Sequence, residues 1–337
     1  MNNNTSLNSN VWKQIEPILN VISVMIYIIC FLAGVVGNGI VIWITGFKMK
    51  KSTNTIWYLN LAIADIFYSI LLPFFIIKIL MNQTWVFGKE FCKITHSCLF
   101  LCMYASVFHL TTLSIDRLVL TMLPIWYQNH RTVKFACTVS LATWALCIAL
   151  ISPYFAFYEA AVKNNKTYCV NNFNPAGRNA TLIKAIGKQR QKAMIVTRFV
   201  LGFIIPLLII TVCHMVLAVK VKYRHNVKSS KAFKVMVAVI VSFFLCWLPY
   251  HMINISLINA ESNTISKVFS ALSFSLACIN CFLNPILYVF IGQRFKETFR
   301  KSITAICESA FTEDSFFHSF RRKTGPSLSS EMKSLQM

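Results

Sequence analysis

The chain has 337 residues, of which 56% are hydrophobic and only 13% charged, where an ordinary soluble domain carries about 25% charged residues. An interior of this size cannot hide that much apolar surface from water, which excludes a soluble enzyme and a disordered chain and leaves a membrane protein. The net charge of +22 comes without a basic stripe, an RNA-binding motif or a zinc finger, so it is assigned to loops and lipid headgroups and not to nucleic acid.

A helix needs about 20 apolar residues to cross the hydrocarbon core. Residues 1–20 are Asn-rich and lack the basic-then-apolar pattern of a cleaved signal, so they are expected as an outer segment. Seven spans follow: Val21–Phe47, Ser52–Ile77, Ile94–Ile115, Phe135–Tyr158, Phe199–Val219, Val235–Ala260 and Val268–Gln293. The expected fold is therefore an all-α membrane protein, a seven-helix bundle over 21–293. A short amphipathic cytoplasmic helix (294–307) and a disordered Ser/Thr-rich tail (308–337) complete the chain. Pro73, Pro153, Pro206, Pro249 and Pro285 fall inside spans, where neighbouring helices and water satisfy the freed carbonyls.

An odd number of spans puts the termini on opposite sides. Lys48, Lys50 and Lys51 follow the first span, and the third inner loop adds Lys220, Lys222, Arg224, Lys228, Lys231 and Lys234. The positive-inside rule then places the N-terminus outside, as expected of a multi-pass plasma-membrane protein. Glycosylation sequons at Asn3, Asn4, Asn82, Asn165 and Asn179 all fall on the predicted outer side, and a further one at Asn254 lies at its edge. Most of the twelve cysteines lie within spans as small hydrophobes. Cys92 and Cys169 sit at the oxidising face and are expected to form a disulfide that pins the loop between spans four and five over the bundle mouth. Cys307, after the basic amphipathic stretch, is a palmitoylation candidate.

Several motifs appear in order on these spans: Gly37-Asn38, Asn60-Leu61-Ala62-Ile63-Ala64-Asp65, Trp85-Val86-Phe87-Gly88 before Cys92, Asp116-Arg117-Leu118, Trp144, Cys246-Trp247-Leu248-Pro249-Tyr250, and Asn284-Pro285-Ile286-Leu287-Tyr288. Over roughly residues 20–305 the chain resembles the rhodopsin-like (class A) G-protein-coupled receptors. Asn54-Thr55-Ile56-Trp57-Tyr58-Leu59, Gln128-Asn129-His130-Arg131, Arg198-Phe199-Val200-Leu201-Gly202-Phe203 and Phe311-Thr312-Glu313-Asp314-Ser315 are similar to the chemoattractant branch of formyl-peptide and chemerin receptors, including an orphan receptor of that branch.

The resemblance implies roles. Asp65, an ionisable group in mid-span and thus a functional-site candidate by cost alone, falls in the family's sodium pocket with Ser106, Asn280 and Asn284. The alternative is a protonated Asp65 hydrogen-bonded to Asn38 and Asn284. Beyond such a sodium ion, no cofactor is expected. Asp116 and Arg117 would pair at rest, and Arg117 would then turn to the G protein. Trp247 above Pro249 would be a rotamer switch, Asn284, Pro285 and Tyr288 would repack the inner half, and Ile125 would be an apolar knob for the G protein. Two departures stand out. Leu118 replaces the usual aromatic residue or Cys, and His214 replaces a span-five Tyr. No acidic residue lies between Lys220 and Tyr250, so Arg117 has no ionic partner at the start of span six and a weak resting lock is expected.

On the predicted outer side, thirteen Lys and Arg face four acids, Glu16, Glu90, Glu159 and Glu261, a mouth that steers anions inward. Arg198, about two turns before Pro206, should point into the bundle, where a carboxylate is its natural partner. Leu99, Phe100, Met103, Trp247, Tyr250, His251 and Asn254 would complete the ligand pocket. The formyl-peptide receptors' second Arg is Met194 here and their span-three Asp is Phe100, which disfavours a formylated peptide. A carboxylate-bearing peptide or lipid mediator is expected as agonist.

The implied partners are a heterotrimeric, inhibitory-type G protein, receptor kinases and arrestin acting on the tail, and membrane lipids. An arrestin-coupled or scavenging decoy of the same fold is the alternative. Span seven holds no Lys for a retinal Schiff base, and no nucleophile–base pair, zinc signature or phosphate loop suggests an enzyme.

Overall fold

A computed structural model describes the backbone of residues 2–174, 180–224, 227–258 and 263–291, and the side chains of 11–127, 129–174, 180–220, 237–258 and 263–286. Seven helical stretches are long and apolar enough to span a membrane. They are built from α1 (Asn2–Trp43), α2 (Thr53–Leu80), α3 (Gly88–Met122), α5 (Val133–Phe157), α6 (Ala180–Phe199) continuing into α7 (Ile205–Arg224), α8 (Val227–Ser256) and α9 (Thr264–Ile291), with the short α4 (Pro124–His130) between α3 and α5. The expected bundle is present. The amphipathic helix at 294–307 and the tail at 308–337 lie outside the described residues.

The helices run beyond the apolar stretches because a polar residue at a helix end costs little. α3 starts six residues before Ile94 and ends seven after Ile115, and α6 carries span five nineteen residues beyond Phe199 toward the N-terminus. Local signals set the other ends. Ser52 and Thr55 cap α2 reciprocally, Pro124 opens α4 at a position that needs no N–H, and the Thr132 hydroxyl accepts from the Phe135 N–H at 3.1 Å to start α5. Span five contains a π-turn over Val200–Ile204 just before Pro206, where the ring can neither donate nor fit an unbroken ladder.

α3 is the axis of the bundle: 67% of its apolar window is buried, against 39% or less for the other six spans. Ile28, Phe67, Leu141, Leu208, Leu245 and Phe269 are exposed large hydrophobics, an outward apolar coat suited to lipid.

Among the described residues, a hairpin lies outside the all-helical expectation. Strands β1 (Tyr158–Lys163) and β2 (Lys166–Asn171) form an antiparallel hairpin with Ala160 opposite Cys169. Its two-residue tip, Asn164-Asn165, has φ of 50° and 59°, the left-handed geometry that matches hairpin twist and that Asn tolerates. The Cys92–Cys169 disulfide fastens β2 to α3, as expected, and the Trp85 N–H donates to the Thr167 carbonyl at 2.7 Å. The hairpin is thus tied down at one end of the bundle, opposite the end that carries Arg117.

Candidate ligand pocket and signalling core

At the hairpin end, the last turn of α6 puts Arg198 inside the bundle, 6% exposed. Its guanidinium lies over the rings of Phe100 at 4.5 Å and Tyr250 at 5.3 Å, and Tyr104, Tyr154, Tyr158 and Tyr250 are close enough to interact with it electrostatically. Its hydrogen bond to a side-chain carbonyl is long, Nη2 to Asn254 Oδ1 at 3.4 Å, and Nε is buried without a partner. Among the described residues no carboxylate pairs with it; the ion pair found there joins Asp116 and Arg131. A buried cation balanced by ring faces and neutral polar groups, with no anion, is under-compensated. Such a site favours an incoming anion.

The other expected pocket residues gather here. Leu99, Phe100 and Met103 are buried along α3, and Trp247 and His251 along α8. Asn254, half-buried, donates from Nδ2 to the Tyr250 carbonyl of its own helix at 2.7 Å, and its Oδ1 faces Arg198. His251 is packed among Phe199, Phe203 and Tyr250, and its Nε2 lacks a partner. The tyrosine ring around Arg198 was not legible in the sequence, because it draws on three separate helices and β1.

Deeper in, Trp247 is edge-on to Tyr68 at 6.2 Å and to Tyr250 at 5.8 Å, with Pro249 two residues further along α8. Beneath it Asp65 accepts from Ser106 Oγ at 3.1 Å and from Asn284 Nδ2 at 2.7 Å. Asn280 lines the same cavity of about 10 Å³, room for roughly one water-sized particle. Oδ1 of both Asn280 and Asn284 is buried without a donor. A carboxylate, a hydroxyl and two unsatisfied amide oxygens are hard donors that fit a small hard cation such as sodium. Asn38 does not bond to Asp65. Its amide donates to the carbonyls of Gly34 and Cys281 at 2.9 and 2.7 Å, tying α1 to α9, where Pro285 lies within the helix.

At the Arg117 end, the expected pairing of neighbours Asp116 and Arg117 is replaced. Arg131 takes Asp116 in a forked contact, Nε to Oδ1 at 3.2 Å and Nη2 to Oδ2 at 3.0 Å, and Tyr127 donates to Oδ2 at 3.1 Å. Arg131 also reaches Asn54 at 2.6 Å and lies over the Tyr127 ring at 4.6 Å. Burial first, and the adjoining Asp116 charge second, raise the Tyr127 phenol above its ordinary pKa, so it remains a donor. The reason is geometric: successive helix residues diverge by about 100°, whereas Tyr127 and Arg131, one turn apart, both face Asp116. Gln128-Asn129-His130-Arg131 had stood out only as a family likeness. Ile125 is 79% exposed on α4, and His214 bonds its own helix at the Ile210 carbonyl, 2.8 Å away.

Asn82 and Asn165 are exposed in positive-φ turns at the hairpin end. The Asn3, Asn4 and Tyr288 side chains, Asn179 and Cys307 lie outside the described residues.

Residues 37–288 match the 7 transmembrane receptor (rhodopsin family). The chain is 37% identical over 328 residues to N-formyl peptide receptor 3 of Pongo pygmaeus, covering 93% of this chain and 94% of that protein. It is 38% identical to chemerin-like receptor 1 of Sus scrofa (90% and 85% covered) and 40% identical to the C3a anaphylatoxin chemotactic receptor of Oncorhynchus mykiss (93% and 84% covered). The chain belongs to the rhodopsin family of G-protein-coupled receptors. Within it, the chain sits in the chemoattractant-receptor branch: a multi-pass membrane receptor and not an enzyme.

Proposed function

We propose that this receptor takes an extracellular chemoattractant-type agonist, a peptide or lipid mediator bearing a carboxylate, and signals through an inhibitory-type heterotrimeric G protein. The observation that carries the reading is Arg198: a buried guanidinium walled by aromatic rings, with no acidic partner among the described residues. A bound carboxylate would supply the missing charge through forked hydrogen bonds. In this reading the hairpin end faces the medium, Asn82 and Asn165 carry sugar, and the Arg117 end meets the G protein, receptor kinases and arrestin. Sodium in the Asp65 pocket would hold the resting state. Agonist and G protein then favour the same open arrangement about Trp247 and Pro249, and each tightens binding of the other.

The test is a screen of carboxylate-bearing peptides and lipid mediators on intact cells, read by both cAMP inhibition and arrestin recruitment. Hits whose potency collapses in Arg198→Ala at matched surface expression support the reading. Unchanged potency overturns the carboxylate role. Arrestin recruitment with no G-protein response selects the decoy, which the Leu118 and His214 departures favour.

A further inference from the structure

Between Glu159 and Glu261 the chain holds no acidic residue, so the basic residues of α6 have no counterion near them in sequence. Lys188-Gln189-Arg190-Gln191-Lys192 is a short basic run of the kind that contacts polyanions. The helix splits this run. Arg190 turns onto the preceding loop, over the Phe157 ring at 5.9 Å and bonded to the Phe173 carbonyl at 3.4 Å, and the adjoining Gly187 is buried against Asn174. Lys188 and Lys192 instead join Lys184 in one exposed row at one-turn spacing. Among the described residues no carboxylate pairs with any of the three. Like charges four residues apart on a helix repel. The hairpin tip repeats the pattern, with Lys163 directly opposite Lys166, where like charges again destabilise. An anion from outside relieves both.

Height and texture decide which anion. Phe199 opens the apolar run of span five. At about 1.5 Å per residue, Lys192 lies about 10 Å and Lys184 about 22 Å beyond it along the helix. The headgroup layer is only about 5–8 Å deep, so the row stands clear of the membrane and lipid phosphates do not reach it. An open, shallow depression of about 510 Å³ on this face is lined by Ala180, Thr181, Lys184, Ala185 and Lys188. It offers no aromatic or large aliphatic side chain of the kind that anchors a protein partner. Evenly spaced cations over a shallow polar face match a linear hydrophilic polymer that carries negative charge at regular intervals.

We infer that the exposed row of α6 binds a sulfated polysaccharide of the cell surface, with its sulfates on Lys184, Lys188 and Lys192. A bound glycan neutralises the field that draws anions to the mouth, and so sets how fast an anionic agonist arrives. The site is separate from the Arg198 pocket. It requires the hairpin end to face the medium, as proposed above, but not the agonist.

The full chain, purified in detergent, is tested for binding to immobilised heparin over a salt series. Wild type should bind, more weakly as salt rises. Lys184→Gln, Lys188→Gln and Lys192→Gln together should lower affinity about 3- to 150-fold, the compounded loss of three exposed charge contacts. The matching triple Arg variant should keep it, and Arg190→Gln should stay near wild type. No binding, an unchanged affinity in the Gln variant, or an Arg190→Gln loss as large as the triple one would each overturn the proposal. So would equal binding of desulfated heparin. Poly-glutamate of matched charge that displaces the receptor as well as free heparin does would assign the row to an acidic protein segment instead. Intact cells are then stained with labelled heparin. Binding by the purified receptor with none on intact cells would overturn the outward orientation, and the glycan as partner with it, whereas failure of the purified receptor alone leaves that orientation standing.

Discussion

Two arginines divide the bundle. Arg198 at the hairpin end and Arg131 at the Arg117 end both lie over tyrosine rings, yet Arg131 grips a carboxylate of its own chain with two nitrogens, while among the described residues Arg198 has ring faces, nearby tyrosine hydroxyls and a long hydrogen bond to Asn254 and no carboxylate. A cation matched within the chain stabilises the fold that matches it. One left unmatched in a dry site costs stability until an outside anion arrives. The contrast separates a structural latch from the proposed recognition site without reference to any relative.

The largest effect should come from removing the unmatched cation. Arg198→Ala should cut agonist potency by about 30- to 5,000-fold, the range for losing one partner of a buried charge pair, whereas Arg131→Ala should shift it only a few-fold; dose–response curves at equal surface expression compare them. Thermal unfolding of agonist-free receptor in detergent should then move in opposite directions. Arg131→Met strands Asp116 and should cost about 1–3 kcal/mol, less than a fully buried pair because this one is partly exposed. Arg198→Met removes an uncompensated charge and should raise the midpoint.

A third test concerns sodium. Exchanging choline for sodium should weaken agonist affinity by at least about fivefold, a typical coupling between sites, and Asp65→Asn should erase the difference in radioligand binding. Next in size is ligand-free signalling. With Asp116 held by Arg131, Arg117 lacks its neighbour's restraint, so basal cAMP inhibition should exceed that of mock-transfected cells. Arg131→Met, which frees Asp116, should lower it; basal output equal to mock in wild type would remove the idea. The smallest effect lies in encounter. Lys184, Lys188 and Lys192 recur every fourth residue on the exposed face of α6, and converting all three to Gln should slow agonist association a few-fold and flatten its salt dependence in stopped-flow or surface-binding kinetics.

Much of the site was legible because membrane chemistry is unforgiving. Asp65 stood out as an ion in mid-span, Arg198 as a cation about two turns before Pro206 at the edge of span five, and Cys92 and Cys169 as the cysteines at the oxidising face. The Arg131–Asp116–Tyr127 cluster was not, since three polar residues near a helix end look like any solvated loop. The hairpin escaped for a related reason: two six-residue strands carrying Lys and Asn have no strong alternation, and their pairing depends on a disulfide to a distant helix.

The amino-acid order by itself determined that seven segments cross the bilayer and which few ions lie within them or at their edges, because each residue's transfer cost out of water is a local property that sums along the chain. Only the tertiary structure decided which of those ions are satisfied. Matching a charge depends on side chains from separate helices meeting within about 3 Å, and no count of residues along one strand of sequence contains that distance.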